Sequence, residues 1–301
     1  MRVFVTGATG FVGSAVVPEL IGAGHQVVGL ARSDEAAAAL KAAGAEAHRG
    51  TLDDLAGLRS AAATADGVIH LAFLHDFSDF GVAGAIDLRA IEAIGAELAG
   101  TGKPFLTTSG MPVTGSGRTA TEEDGTGVAT HRAASDEATL ALAGRGVRSG
   151  LVRLPTVHGR GDHAFVPRLI RIARDKGVSA YVGDGANRWP AVHRLDAARL
   201  YRLALESAPA GASLHAMAEE GVPFRDIAEV IGRHLDVPVT GVPADRAEDH
   251  FGWLGRFAAV DAPTSSALTR KLLGWEPSGP TLLEDLDAGH YFAAQAAPEG
   301  S

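Results

Sequence analysis

The chain contains no cysteine among its 301 residues. This absence excludes disulfide bonds, a thiolate nucleophile and any zinc or iron–sulfur site that depends on cysteine ligands. Histidine occurs 12 times but never in an HExxH or HxH arrangement, so the sequence predicts no metal site. The formal net charge of −9 argues against a nucleic acid or an anionic membrane as a partner. We therefore expect the main ligand to be a small molecule.

Long apolar runs and a secretory signal are also missing. Glycine, polar or charged residues interrupt every apolar stretch before it reaches the roughly 20 residues of a membrane helix. The first seven residues lead directly into a strand and a turn, without the charged start, apolar stretch and cleavage site of an exported protein. These features favour a cytoplasmic protein with no membrane partner.

Short runs rich in valine, isoleucine and leucine alternate with longer segments of helical period. This alternation is typical of βαβ units and predicts an α/β fold, a Rossmann doubly wound parallel sheet. The predicted strands are 3–5, 27–30, 45–48, 68–71, 105–108, 151–154 and 191–193. The helices predicted between them are 12–23, 34–43, 53–64, 84–100, 131–144 and 196–207.

The regular alternation weakens after about residue 158, where glycine, proline and charged residues surround the helical stretches. We assign residues 1–158 to a Rossmann domain and expect residues 191–207 to return to its sheet as a strand and a helix. Residues 159–190 and 208–301 would then form a smaller, discontinuous substrate-binding domain.

The segment TGATGFVG at residues 6–13 directly follows the first strand and opens an amphipathic helix. In this context Gly7 permits a tight turn, Gly10 lets backbone amides approach a pyrophosphate, and Gly13 lets the helix and strand pack closely. The pattern predicts dinucleotide binding rather than an unliganded glycine-rich turn. The residues predicted to contact the cofactor here are Thr6, Gly7, Thr9, Gly10, Phe11, Val12 and Gly13.

The end of the second strand reads Leu30-Ala31-Arg32-Ser33-Asp34. The acidic residue that usually binds the ribose diol of NAD at the end of this strand is replaced here by Ala31 and Arg32. Arg32 and Ser33 could instead bind a 2′-phosphate through charge-assisted hydrogen bonds, so NADP(H) is preferred over NAD(H). The alternative is an exposed surface arginine beside a serine that caps the next helix.

The TGxxGxxG spacing resembles that of the extended and atypical short-chain dehydrogenase/reductases, the group of nucleotide-sugar epimerases, dehydratases and related ketoreductases. Further matches are DGVIHLA at residues 66–72, LPTVHG at 154–159, and the VGDGAN and AVHRLDAA segments within 182–198. The likeness covers about residues 1–207, with LGWEP at 273–277 similar to the family's C-terminal turn.

The resemblance implies further cofactor contacts beside the adenosine and the nicotinamide. Thr51 stands where the family usually has an aspartate that contacts adenine, so we expect Thr51 and the neighbouring backbone to make that contact. The other residues that the resemblance assigns to the cofactor site are Leu52, Leu71, Ala72, Phe73, Thr107, Pro155, Val157 and His158.

The family's catalytic tyrosine, and the lysine four residues after it, have no counterpart in this sequence. In the family the lysine ammonium lowers the pKa of the tyrosine phenol, which then exchanges a proton with the substrate oxygen. Neither the three tyrosines nor the four lysines of this chain have that spacing. Alignment on the acidic Glu137 puts Ala129 and Ala133 at the two positions. The acid/base is therefore missing or replaced.

Two residues are candidates for the catalytic step. Ser109 corresponds to the family's serine after the fifth strand and could polarise a carbonyl or imine, and the alternative is a turn serine before Gly110. His131 lies near the start of the helix that normally carries the tyrosine, and its ordinary pKa suits proton transfer at neutral pH. The alternative for His131 is an exposed histidine at a helix start.

These observations favour an NADP(H)-dependent oxidoreductase acting on a small or medium carbonyl, imine or activated alkene. Without the tyrosine and lysine, a substrate that needs little acid assistance, such as an iminium ion, is easier to accommodate than a simple ketone. A sugar-nucleotide epimerase or dehydratase and a non-catalytic NADP(H) sensor are the alternatives. By analogy with the family, a homodimer is a further expectation.

Overall fold

The computed structural model of the chain describes residues 1–74, 80–115, 117–125 and 132–293. The strands in these residues are β1 (Arg2–Thr6), β2 (Gln26–Ala31), β3 (Glu46–Arg49), β4 (Gly67–His70), β5 (Pro104–Gly110), β6 (Arg148–Leu154), β7 (Thr156–His158), β8 (Ser179–Val182), β9 (Arg188–His193), β10 (Ala212–His215), β11 (Glu219–Pro223) and β12 (Val239–Val242). The helices are α1 (Gly13–Gly22), α2 (Asp34–Ala42), α3 (Leu55–Thr64), α4 (Phe80–Leu98), α5 (Ala133–Ala141), α6 (Phe165–Lys176), α7 (Arg194–Ser207), α8 (Phe224–Leu235), α9 (Ala247–Phe251), α10 (Gly255–Ala258), α11 (Ala267–Leu273) and α12 (Leu282–Asp287).

Seven parallel strands form the central sheet, in the order β10-β6-β5-β4-β1-β2-β3. The chain adds strands first on one side of β1 and then, from β4 onward, on the other side. The strand order therefore reverses between β1 and β4, and in open α/β sheets this reversal creates a ligand-binding crevice at the carboxyl ends of the strands. The predicted Rossmann fold is confirmed.

Both faces of the sheet are covered by helices, which explains why its central strands read as continuous apolar runs. Along β1 the side chains alternate, with Val3 and Val5 in the apolar cluster that contains α1 and α7, and Phe4 in the cluster that contains α3 and α4. All three are fully buried. Within the described residues, no helix combines the length and apolar composition needed to cross a membrane.

The strand predicted at 191–193 does not return to the central sheet, so this part of the sequence prediction is wrong. β9 pairs in parallel with β7 and antiparallel with β11, forming a separate three-stranded sheet. The seventh position of the central sheet is filled by β10, which pairs with β6 and lies in the region assigned to the smaller domain. An apolar run specifies a buried strand but does not specify its partner. The helix that follows, α7, does pack on the central sheet and α1.

A second apolar cluster lies apart from the central sheet. It is built mainly from α6, α8, α9 and β9, and its aromatic centre is Trp189, whose ring packs edge-on against Phe165 and Phe224. The two-stranded β8–β12 sheet covers one side of it.

The turn after α11 is fixed to α7 by Trp275. Its indole is fully buried, and Nε1 donates a hydrogen bond to the Asp196 carbonyl at 3.0 Å. The Asp196 carboxylate in turn accepts hydrogen bonds from the amides of Ser278 and Gly279. Residues 275–279 are therefore held against the first turn of α7.

We expect Trp275→Ala to lower the free energy of unfolding by about 3–5 kcal/mol, because it opens a cavity and removes the hydrogen bond from the indole to the Asp196 carbonyl. Urea unfolding followed by circular dichroism measures the change. Leu272→Ala is the matched control, since that side chain is 51% exposed and its loss should change stability by less than about 0.5 kcal/mol. Equal effects of the two substitutions would contradict this account of the core.

Candidate functional site

The glycine turn between β1 and α1 has the backbone geometry that a dinucleotide pyrophosphate requires. Gly7 adopts φ +66°, and a Cβ on Gly13 would lie 2.0 Å from the Gly7 carbonyl oxygen, so both positions require glycine. The amides of Phe11 and Val12 have no acceptor among the described residues. Free amides at the N-terminus of a ten-residue helix form a site for an anion.

The end of β2 presents Arg32 and Ser33 in different ways. The Arg32 side chain is exposed, whereas the Ser33 hydroxyl caps α2 by accepting a hydrogen bond from the Ala36 amide at 3.1 Å. The capping role, the alternative interpretation for Ser33, is therefore present. Beyond β3, Thr51 is exposed and Leu52 is buried, so the Thr51 side chain is available to an adenine ring in this loop.

Residues 71–73 follow β4 and lie beside the glycine turn. The Ala72 amide donates a hydrogen bond to Thr6 Oγ1 at 3.2 Å, and a Cβ on Gly7 would come within 2.7 Å of that amide nitrogen. Leu71 is half-buried, and the Arg132 guanidinium stacks 4.3 Å from the centre of the Phe73 ring. This loop joins the expected pyrophosphate site to the start of α5.

The remaining predicted cofactor residues differ in what their side chains can reach. The Thr107 hydroxyl is buried and hydrogen-bonded to Thr139 on α5 at 3.0 Å, so it is not free to contact a ligand. The His158 ring is buried, with Nδ1 2.9 Å from the Asp285 carboxylate. Pro155 and Val157 are half-buried. His158 can therefore contribute to a cofactor site through its backbone rather than its imidazole.

A buried serine–carboxylate pair lies at the carboxyl end of β5. Ser109 Oγ donates a hydrogen bond to Asp136 Oδ2 at 3.0 Å, and both residues are buried, with relative exposures of 5% and 2%. Burial raises the pKa of Asp136 to about 6, although the hydrogen bond from Ser109 and the charges of Arg132 and Arg153 act to lower it. A carboxyl group with this pKa can give and take a proton near neutral pH.

Arg132 is held beside this pair by a chain of hydrogen bonds that begins at the glycine turn. Thr6 Oγ1 lies 2.8 Å from His70 Nδ1, His70 Nε2 lies 3.2 Å from Asp87 Oδ1, and Arg132 Nη2 donates to the same oxygen at 3.1 Å. Burial pushes the pKa of Asp87 upward, but its hydrogen bond with His70 and the charge of Arg132 outweigh this and bring the pKa below its ordinary value. Asp87 is therefore a carboxylate that orients Arg132.

Arg153 supplies the second positive charge. It lies on β6 directly opposite Ser109, is only 2% exposed, and donates from Nη1 to the Asp124 carbonyl and Ser213 Oγ, both at 3.0 Å. Burial lowers the pKa of Arg153, while the charge of Asp136 raises it. Two guanidinium groups and two carboxylates thus share the buried layer beneath the carboxyl ends of β4, β5 and β6.

Sequence reasoning identified Ser109 but missed Asp136 and Arg132. Among the described residues, the structure brings Asp136 to Ser109 and Arg132 close to Asp136. Ala129, like the candidate acid His131, lies outside the described residues, and Ala133 is three residues before Asp136 on α5. Asp136 follows Arg132 by four positions, as the family's lysine follows its tyrosine. This spacing of two ionisable residues was the signal in the sequence that could have identified them.

None of the three tyrosines takes the place of the missing one. Tyr201 is buried on the other face of the sheet, 2.6 Å from Thr108 Oγ1, and burial raises its pKa. Tyr291 hydrogen-bonds the Gly159 loop, and Tyr181 stacks with an arginine of α8. Across the described ranges, no group of three or more acidic or histidine side chains is arranged to bind a metal ion.

Comparison with known proteins gives one family and a range of relatives. The model of the NAD dependent epimerase/dehydratase family matches residues 3–217. An uncharacterized protein of Schizosaccharomyces pombe is 53% identical over 295 residues, which cover 97% of this chain and 100% of the relative. The 2-alkyl-3-oxoalkanoate reductase of Stenotrophomonas maltophilia is 27% identical, with coverage of 99% and 92%.

Among solved structures, the dTDP-glucose 4,6-dehydratase DesIV of Streptomyces venezuelae, with NAD and TYD bound, superposes with a TM-score of 0.76. Its sequence identity is 20%, and the superposition covers 97% of both chains. At this identity the likeness shows the fold. The resemblance to the extended short-chain dehydrogenase/reductases that the sequence predicted is confirmed.

We predict that Asp136→Asn stabilises the protein at alkaline pH. The pKa of Asp136 is about 6 in the folded chain and about 3.9 in an unfolded one, so wild-type stability should fall as pH rises from about 4 to about 6. Asparagine still accepts the hydrogen bond from Ser109 but carries no charge. At pH 8 the variant should therefore be more stable by about 1–3 kcal/mol, with no difference at pH 4.

Urea unfolding at the two pH values measures this effect. Glu137→Gln, at the exposed neighbouring position, is the control and should show no such dependence. If Asp136→Asn is the less stable protein at pH 8, the carboxylate stabilises the fold and the pKa assignment is wrong.

Proposed function

Because this chain belongs to the NAD-dependent epimerase/dehydratase family, we propose that it is an NADP(H)-dependent oxidoreductase. Its substrate would be a small or medium organic molecule with a carbonyl, imine or activated alkene. The observation that carries the proposal is the Ser109–Asp136 pair, which lies two strands, or about 10 Å, from the glycine turn along the carboxyl edge of the sheet. A nicotinamide ring attached to a pyrophosphate at that turn would reach this distance.

The bound cofactor would supply the hydride, which adds to the electrophilic carbon of the substrate. The protein's own part is the proton. Ser109 Oγ donates a hydrogen bond to the substrate oxygen or nitrogen and passes on the proton of Asp136, whose carboxylate is then reprotonated from water. Arg132 and Arg153 keep the pKa of Asp136 near 6 by opposing the effect of burial.

The pKa also bears on which substrates fit. At pH 7 about one tenth of the Asp136 groups carry a proton, and the rest are carboxylates. A carboxylate stabilises a nearby cation, so a protonated imine would be reduced with the least demand on the acid. This supports the preference for activated substrates such as iminium ions over simple ketones.

The alternatives are less well supported. Sugar-nucleotide epimerases and dehydratases begin by removing a proton from a hydroxyl, and a carboxylate whose pKa is about 6 is a weak base for that step. A protein that only binds the cofactor gains nothing from a buried carboxyl group that lowers its stability at neutral pH. The likeness to a reductase at 27% identity also supports the oxidoreductase proposal.

The first test is the consumption of NADPH with a panel of imines, carbonyls and enones. We expect turnover with at least one activated substrate. For a carbonyl substrate, which takes its proton from Asp136, kcat should fall as pH rises through about 6. Asp136→Asn should lower kcat by roughly 100-fold and remove this pH dependence. Glu137→Gln is the control. A kcat unchanged in both Asp136→Asn and Ser109→Ala would sink the proposed acid.

The NADP(H) preference has its own test, because Arg32 is exposed beside the expected ribose. Arg32→Met should weaken NADP⁺ binding by roughly 10- to 100-fold through the loss of a charge-assisted contact to the 2′-phosphate. NAD⁺ binding should be unchanged. Isothermal titration calorimetry measures both affinities, and equal losses for the two cofactors would refute the assignment of Arg32.

A further inference from the structure

A second arginine, Arg194, lies over the glycine turn although it comes from the first residue of α7. Its Nη2 donates a hydrogen bond to Ser14 Oγ at 2.8 Å, and its guanidinium lies 4.9 Å from the centre of the Phe11 ring. Nη1 donates to the Arg160 carbonyl at 2.6 Å. The side chain therefore bridges the start of α1 and the loop that follows β7.

The charge of Arg194 is not balanced by an anion of the described chain. Burial lowers the pKa of its guanidinium, and Nε is buried without an acceptor among the described residues. It contacts protein through two of the five N–H donors of a guanidinium. A charge that is partly removed from water gains from a nearby anion.

A second source of positive potential points to the same place. The amides of Phe11 and Val12 have no acceptor among the described residues, and they stand at the N-terminus of α1. The helix dipole adds to the effect of these amides. The Arg194 guanidinium stacks on the ring of Phe11, whose own amide is one of the two. A partly buried guanidinium and an open helix N-terminus thus lie next to each other, and no carboxylate of the described residues pairs with either.

The loop after β7 is shaped to hold Arg194 at this position. Gly159 has φ +137°, and a Cβ there would come 2.9 Å from Arg194 Cγ. The loop is fixed from behind by Tyr291, whose hydroxyl accepts a hydrogen bond from the Gly159 amide at 2.9 Å. The position of the guanidinium is therefore set by packing on both sides.

We infer that Arg194 binds the pyrophosphate of the dinucleotide, closing the site on the side opposite the glycine turn. The inference rests on the proposed function in that it takes a dinucleotide as the ligand. It adds to the cofactor site a residue outside the glycine motif, and it gives Arg32 and Arg194 different contacts with the cofactor. Arg32 distinguishes the 2′-phosphate, whereas Arg194 contacts a group that NAD⁺ and NADP⁺ share.

Isothermal titration calorimetry with NADP⁺, NAD⁺ and ADP tests this division. Arg194→Met should weaken the binding of all three ligands by a similar factor, roughly 10- to 100-fold, because each carries the pyrophosphate. Arg32→Met should weaken NADP⁺ binding alone. Arg174→Met removes the same charge from an exposed position on α6, and it should change none of the three affinities.

Affinities of Arg194→Met within about twofold of those of the control would overturn the inference, as would a loss confined to NADP⁺. Circular dichroism and thermal unfolding establish that the variants are folded. If the methionine variant does not fold, Arg194→Lys carries the test, since it keeps the charge but loses the two-point contact, and an unchanged NAD⁺ affinity again overturns the inference. A wild-type chain that binds none of the three ligands would instead refute the proposed function, and this inference with it.

Discussion

The hydrogen bond from Ser109 to Asp136 depends on a layer of charge buried beneath the carboxyl ends of β4, β5 and β6. Burial raises the pKa of Asp136, whereas full exposure would leave it a carboxylate with an ordinary pKa. The hydrogen bond from Ser109 and the charges of Arg132 and Arg153 oppose the effect of burial. Each guanidinium is in turn fixed by other partners, so none of the four charges in the layer can be removed without changing the rest.

The same layer joins the two halves of the candidate site. Thr6 belongs to the glycine turn and hydrogen-bonds both His70 and the amide of Ala72, while His70 passes the connection through Asp87 to Arg132. The expected pyrophosphate site is therefore joined by one set of hydrogen bonds to Arg132, whose charge in turn lowers the pKa of the expected proton donor, Asp136. Such hydrogen bonds order the side chains of the site before a ligand binds. The loss of side-chain conformational entropy on binding is therefore smaller.

How much the sequence predicted depended on how local each feature is. The glycine turn joins a strand to a helix within a short segment, and its geometry follows from the residues of that segment. The pairing partner of β9 could not be predicted in this way, because a buried strand has the same sequence pattern in either sheet. Asp136 was missed because its partner, Ser109, is 27 residues away and an acidic residue in the first turn of a helix already has an explanation in the helix dipole. Arg194 is 180 residues from Ser14, and nothing in its neighbourhood in the sequence indicates that contact.

The loss of the family's tyrosine and lysine has a physical counterpart in Asp136. A phenol has an ordinary pKa near 10, and the lysine ammonium lowers it toward neutrality. A carboxyl group begins near 3.9, and burial raises the pKa of Asp136 to about 6. The pKa of the phenol must be lowered to reach neutral pH, which requires a nearby cation. The pKa of the carboxyl group must be raised, which requires its removal from water. A tyrosine at position 129 alone would therefore not restore the family's acid, because the lysine position holds Ala133, which supplies no cation to lower the pKa of the phenol.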